Sequence, residues 1–173
     1  MKKIYWLNGL INILWLISMV SIPFIILFIG AIAFVPNEEL SGFEIEINGN
    51  DVLAFGWAGK AYLIFNGLVY LAFVYVIYLF RALVRQFLKA RLFDEKVIDN
   101  FNKIGWILVV SGLSLMIFSF IYGIYYRQNI SIGLNISLGN GNLALLIMGL
   151  FFRVLSEVFS VSKRLQTEND LTI

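Results

Sequence analysis

Four apolar runs dominate this chain, each long enough to form a helix across hydrocarbon, and the segments between them hold most of the charge. The first extends from Ile4 to about Val35 and is interrupted by only five polar or helix-breaking residues, Asn8, Asn12, Ser18, Ser21 and Pro23. The others are predicted over residues 61–83, 104–126 and 143–161. A helix needs roughly 20 residues to cross a core of roughly 30 Å. The first run, residues 4–35, exceeds that length, so it must tilt or project beyond the bilayer. Helices are also what hydrocarbon demands, because no backbone N–H or C=O there can turn to water. The expected fold is an all-α integral membrane protein with four transmembrane helices in a single domain, residues 1–173. Lys2 and Lys3 ahead of an apolar stretch also resemble the start of a signal peptide, but the stretch is too long and no small-residue cleavage pattern precedes Pro36.

The connecting segments carry patterns of their own. In the first outer loop, residues 36–60, Phe43, Ile45 and Ile47 alternate with Glu44 and Glu46. Asn48-Gly49 then supplies a turn before Val52 to Phe55, which is a hairpin pattern. In the second, residues 127–142, Ile130, Ile132, Leu134, Ile136 and Leu138 alternate with smaller or polar residues. A lone hairpin is marginal in water. The two loops are therefore expected to pair into one small extracytoplasmic β-sheet capping the bundle, the alternative being two unrelated loops. The hairpin between spans, residues 84–103, is the most charged stretch. In it Asp94 can cap a helix whose apolar face includes Val97, Ile98, Phe101 and Ile104 and which runs on into the third span. A tail, residues 164–173, closes the chain.

Composition agrees with lipid as solvent: 60% of residues are apolar, 14% are charged and the mean hydropathy is +0.86, against about half apolar and a quarter charged in soluble domains. The net charge of +2 is too small for direct nucleic-acid binding, but its distribution sets the topology. With the N-terminus inside, the inner flanks hold Lys2, Lys3, Arg81, Arg85, Lys89, Arg91, Lys96, Lys103, Lys163 and Arg164, and the outer flanks only Lys60 and Arg127. Basic residues are retained on the cytoplasmic side. Aromatic residues fall at both boundaries, with Tyr5, Trp6, Tyr78 and Trp106 inside and Trp57, Tyr62, Tyr122, Tyr125 and Tyr126 outside. Both N- and C-termini are thus expected in the cytoplasm of a plasma (inner) membrane.

Candidate chemistry is sparse. With no Cys and no His, the commonest zinc ligands, the thiol nucleophile and the usual neutral-pH general base are all missing. No cofactor and no catalysis are expected. Glu38, Glu39, Glu44, Glu46 and Asp51 make the first outer loop acidic without the converging oxygens that calcium needs. The sequons at Asn129 and Asn135 matter only in a glycosylating pathway. The basic hairpin, with Arg85, Lys89, Arg91 and Lys96, is either a docking surface for anionic lipid or a cytoplasmic partner, or a positive-inside anchor alone. Gly105, Gly112 and Ser119 lie seven apart, with Gly123 a turn further, and align small residues for close approach of another helix; a homo-oligomer is open to the same face. Asn8 and Asn12 share a face of the first span and are expected to bond across to another helix.

Arg153 and Glu157 are the costliest residues by this reading. Counted from Leu143, Arg153 lies roughly 15 Å into its helix, near the midplane. Four residues apart, the two are expected to pair. They then form either a relay for protons or ions, a lipid headgroup site or a switch, or a structural ion pair, with Arg153 snorkelling if the helix is shifted by a turn.

The stretch LVRQFLKARLFDEKVIDNFNKIGW, from Leu83 to Trp106, and the end of the chain, EVFSVSKRLQTENDLTI from Glu157, resemble the corresponding parts of domain-of-unknown-function family 2975, bacterial four-span membrane proteins. Glu157 matches the tail pattern, which ends in Asp170, Leu171, Thr172 and Ile173; Arg153 has no clear counterpart. The resemblance implies a membrane partner for a small helix-turn-helix regulator of the Cro/repressor type, such as is often encoded beside family members, and no catalytic residues. The expected function is a non-enzymatic regulator or sensor that acts through that cytoplasmic partner, using the basic hairpin and the tail. Alternatives are a small transporter or channel using Arg153 and Glu157, and an immunity protein against a membrane-active peptide.

Overall fold

The computed structural model describes residues 2–36, 46–47, 50–51, 56–89, 93–127 and 141–170. Four long helices make up the fold: α1 (Lys2–Phe34), α2 (Gly56–Leu88), α3 (Glu95–Arg127) and α4 (Gly141–Asp170). All four are long and apolar enough to cross a membrane, so the chain is a multi-pass membrane protein. Between α1 and α2, β1 (Glu46–Ile47) pairs antiparallel with β2 (Asn50–Asp51), Glu46 opposite Asp51 and Ile47 opposite Asn50. The alternating segment 130–138, expected to join this sheet, lies outside the described residues, as do the expected strand residues 43–45 and 52–55.

Each helix outlasts a bilayer core. Thirty to 33 residues at 1.5 Å make about 45–50 Å, so the ends stand outside the hydrocarbon. The expected basic hairpin, residues 84–103, is mostly helix, with α2 running to Leu88 and α3 beginning at Glu95. Asp94 stands at the N-cap of α3. Its backbone C=O accepts from the Val97 N–H at 2.9 Å and its carboxylate from the Lys96 N–H at 3.4 Å, satisfying donors that a helix start leaves open.

The packing is open rather than that of a closed four-helix bundle. α1 packs on α2, α2 on α3 and α3 on α4, each pair antiparallel. Phenylalanine pairs Phe80–Phe152 and Phe87–Phe159 close α2 onto α4. α1 is the peripheral helix. It is held by Ser21 and Tyr70 sharing a hydroxyl hydrogen bond, by Arg81 Nε donating to Asn12 Oδ1 at 2.6 Å, and by Lys60. The Lys60 ammonium, buried, donates to the Val35 carbonyl just past the end of α1; a cation there satisfies an orphan carbonyl and meets the negative end of the helix dipole. Lys60→Met is expected to destabilise the fold by about 1–2 kcal/mol, read as a lower midpoint in thermal unfolding of the detergent-solubilised protein.

The tightest contact lies between α3 and α4. A Cβ added to Gly105 would come within 2.8 Å of the Gly149 carbonyl oxygen, and one added to Gly149 within 2.9 Å of the Gly105 carbonyl oxygen. The two backbones touch directly, which only glycine allows. Gly112 faces Asn142 and Leu146 of α4, and Ser119 is half-buried further along α3.

This contact fixes the axial register. Gly105 lies against Gly149 and Arg153, and Gly112 against Asn142, so α4 begins midway along α3. Its opposite end runs past the start of α3: Lys163 pairs with Glu95, and seven more residues, about 10 Å, lead to Asp170.

The best-buried residues sit at this same end. Val97 and Ile104 are fully buried, and Leu83 and Val84 nearly so. Leu83, Val97 and Ile104 form, with Leu79, Phe101 and Leu108, a core that Phe87, Phe152 and Phe159 close over. By contrast, α1 leaves Leu10, Ile13, Ile17, Phe24 and Leu27 exposed. Side chains need burial only where water is the solvent, since lipid tails are as apolar as leucine. The tightest packing lies where residues 79–87, 97–108 and 152–159 meet, although Val158, Val161 and Leu165 on the outer face of α4 stay exposed.

Candidate functional site

Two Arg–Trp stacks stand at one level of the bundle. The Arg81 guanidinium lies 4.2 Å from the Trp15 ring centre and that of Arg153 lies 4.4 Å from Trp106. Phe80 meets Phe152, so Arg81 and Arg153 stand at one level, near Lys103. From Lys60 to Arg81 is 21 residues, about 32 Å of helix, which matches a roughly 30 Å core. Arg153 thus stands level with Arg81, at the basic end of α2. The expected depth was counted from the start of the apolar run and did not take in the Gly105–Gly149 contact, which slides α4 toward the charged end.

Arg153 and Glu157 are both exposed on α4 and form no ion pair with each other; aromatic stacking on an interfacial Trp takes the place of the expected partner for Arg153. Neither meets Asn8 or Asn12, which face α2. There Asn12 serves Arg81, while the Asn8 Oδ1 is buried without a hydrogen-bond partner. The four residues therefore do not form one site.

Beyond this level, α3 and α4 flank an open groove of about 550 Å³, bordered mainly by polar and charged residues. Ser156 donates to the Ile98 carbonyl at 2.8 Å at its floor. Lys163 Nζ meets Glu95 Oε1 at 2.7 Å across its mouth, and Asp99, Asn102, Ser160, Arg164 and Thr167 complete the rim. The flanking pairs Lys103–Asp99, at 2.7 Å, and Arg164–Glu168, at 3.9 Å, are open to solvent. Exposed pairs of this kind are worth about 0–1 kcal/mol, so a visiting polar chain can exchange them at little cost. Donors and acceptors of both signs converge here without a nucleophile and base in contact; the arrangement is suited to binding. Ser156→Ala is expected to loosen the α3–α4 contact by about 1 kcal/mol, measurable as a reduced thermal midpoint.

Of the residues singled out in the sequence, Arg85 and Lys89 are exposed or half-exposed on the last turns of α2, Lys96 is exposed on the first turn of α3, and Asp170 ends α4. Arg91, Leu171, Thr172 and Ile173 lie outside the described residues. Gly149 went unremarked, and Lys163 was read only as a basic flank of the fourth span. Gly149 repeats every fourth residue with Arg153 and Glu157, and that shared face was the available signal.

The family model for DUF2975, described as "Protein of unknown function", matches residues 46–173. The chain belongs to this family. The match takes in α2, α3 and α4, which share the buried core, and leaves α1 outside it. No curated protein and no solved structure matches the chain.

Proposed function

We propose that this family member is a non-enzymatic regulator or sensor of the plasma membrane that holds a cytoplasmic partner in the α3–α4 groove. The observation that carries this reading is the groove itself, a cleft bordered mainly by polar and charged residues and built on helix ends that stand outside the hydrocarbon. Its orientation follows from charge. Lys2, Lys3, Arg81, Arg85, Lys89, Lys96, Lys103, Lys163 and Arg164 belong to one end of the bundle, and the positive-inside rule puts that end, with both termini, in the cytoplasm. The two outer loops then face the other side, where the β1–β2 pair of the first is suited to meeting an extracellular signal. The resemblance to proteins encoded beside helix-turn-helix regulators supplies the class of partner. A soluble protein with charges of both signs on a flexible or helical segment fits the groove by exchanging its own pairs for Glu95–Lys163 and Arg164–Glu168.

The test is co-expression with a Cro/repressor-type regulator from the same genome, followed by membrane fractionation. The regulator is expected to sediment with membranes holding the parent protein and to lose most of that association with Lys163→Glu/Arg164→Glu at equal membrane levels. A regulator that stays soluble beside the parent protein contradicts the reading.

A further inference from the structure

A second site, on the opposite side of the charged end, is independent of the groove. Arg81, Arg85 and Lys89 recur every four residues along α2 and so form a single row, about 12 Å long. They line, with Tyr78 and Gln86, a cavity of about 170 Å³. Among the described residues no acidic one borders it. Among the described residues none of the three cations forms an ion pair. Arg81 is instead fixed by neutral groups, the Asn12 carbonyl oxygen and the Trp15 face. Across the bundle the cations Lys163, Arg164 and Lys103 all have carboxylate partners. Other cations without a carboxylate partner among the described residues, such as Arg153 and Lys96, stand singly, whereas three are gathered in this row.

Its depth identifies the counter-charge. Arg81 lies at the edge of the hydrocarbon, and Arg85 and Lys89 follow over the next two turns, through the layer that lipid phosphates occupy. Tyr78, one turn inward, is half-exposed and has the amphipathic character of an interfacial residue. A planar guanidinium held against Asn12 and Trp15 is preorganised to offer its remaining N–H donors to phosphate oxygens. We infer that this row is a binding site for the phosphate headgroup of an anionic phospholipid of the adjoining leaflet, with α1 supplying the support that fixes Arg81. An anchor that only obeyed the positive-inside rule would need neither the cavity nor the neutral clamp on Arg81.

Native mass spectrometry of the full-length protein, released from micelles doped with equal phosphatidylglycerol and phosphatidylcholine, tests the site. The parent protein is expected to retain phosphatidylglycerol about ten-fold or more over phosphatidylcholine, and Arg85→Gln/Lys89→Gln, which leaves the Arg81 clamp in place, to lower that preference about ten-fold, toward equal retention. Circular dichroism checks folding of the double variant. Should it lose helicity, Lys89→Gln alone, at an exposed position, is expected to lower the preference about five-fold. Equal retention of the two lipids by the parent, or an unchanged preference in the variants, overturns the proposal. So does displacement of the lipid by millimolar inorganic phosphate, which would mark a site for the free anion.

Discussion

Phe101→Ala is expected to destabilise the protein by about 3–5 kcal/mol, the largest effect of any single truncation in the chain. Phe101 stacks on Phe152 and Phe159 at 6.0 and 5.3 Å and lies against Phe87 at 6.2 Å, so one ring joins α2, α3 and α4. Its burial at the centre of the core sets the magnitude. A ring lost from this position leaves a void among packed side chains, and both transfer and cavity terms apply. Ile13→Ala, on the exposed face of α1, is the matched control and is expected to change little. Denaturant or thermal unfolding in mild detergent, followed by circular dichroism, measures both. Similar losses at Phe101 and Ile13 would mean that the buried core does not dominate stability.

Gly149→Leu is expected to force α3 and α4 apart. A Cβ at this position already falls 2.8 Å from the Val109 amide nitrogen and 2.9 Å from the Gly105 carbonyl oxygen, and backbone atoms of two packed helices cannot give way locally. Overpacking of this kind costs about 1–3 kcal/mol, with leucine at the upper end, or about 6–12 °C in midpoint for a chain of this size. It also changes function under the proposed reading, because the α3–α4 groove depends on the register that this contact sets. Gly9, with nothing within 4 Å of its added Cβ, provides the counterpart: Gly9→Leu is expected to leave both the midpoint and partner retention unchanged.

Much of the architecture was legible because the bilayer imposes a length scale on sequence. Apolar runs of about 20 residues announce crossings whatever their neighbours do, and Asp94 announces a helix start through its own side chain. The axial register was not legible. It depends on one backbone contact between Gly105 and Gly149, residues 44 apart in sequence, and small residues mark a close approach without naming the partner. Arg153 shows the consequence: its depth read from its own run differs by several turns from its depth read against α2 and α3. The core around Val97, Phe101 and Ile104 was visible as helical spacing, yet its closure by Phe87, Phe152 and Phe159 needed the packed helices. Residues of the groove carry no motif at all, since Ser156, Ser160 and Thr167 become a surface only when α4 projects past its neighbours.

Cysteine labelling at Glu157 tests the central claim most directly, and the absence of native cysteine makes any signal unambiguous. Glu157→Cys in membrane vesicles, treated with a membrane-impermeant maleimide, is expected to react in inside-out vesicles and to remain unlabelled in right-side-out ones, because the proposed topology puts the half of α4 beyond Arg153 in cytoplasmic water. Protection in both orientations would return this residue to the hydrocarbon, and labelling from the outside would reverse the topology; either result contradicts the account.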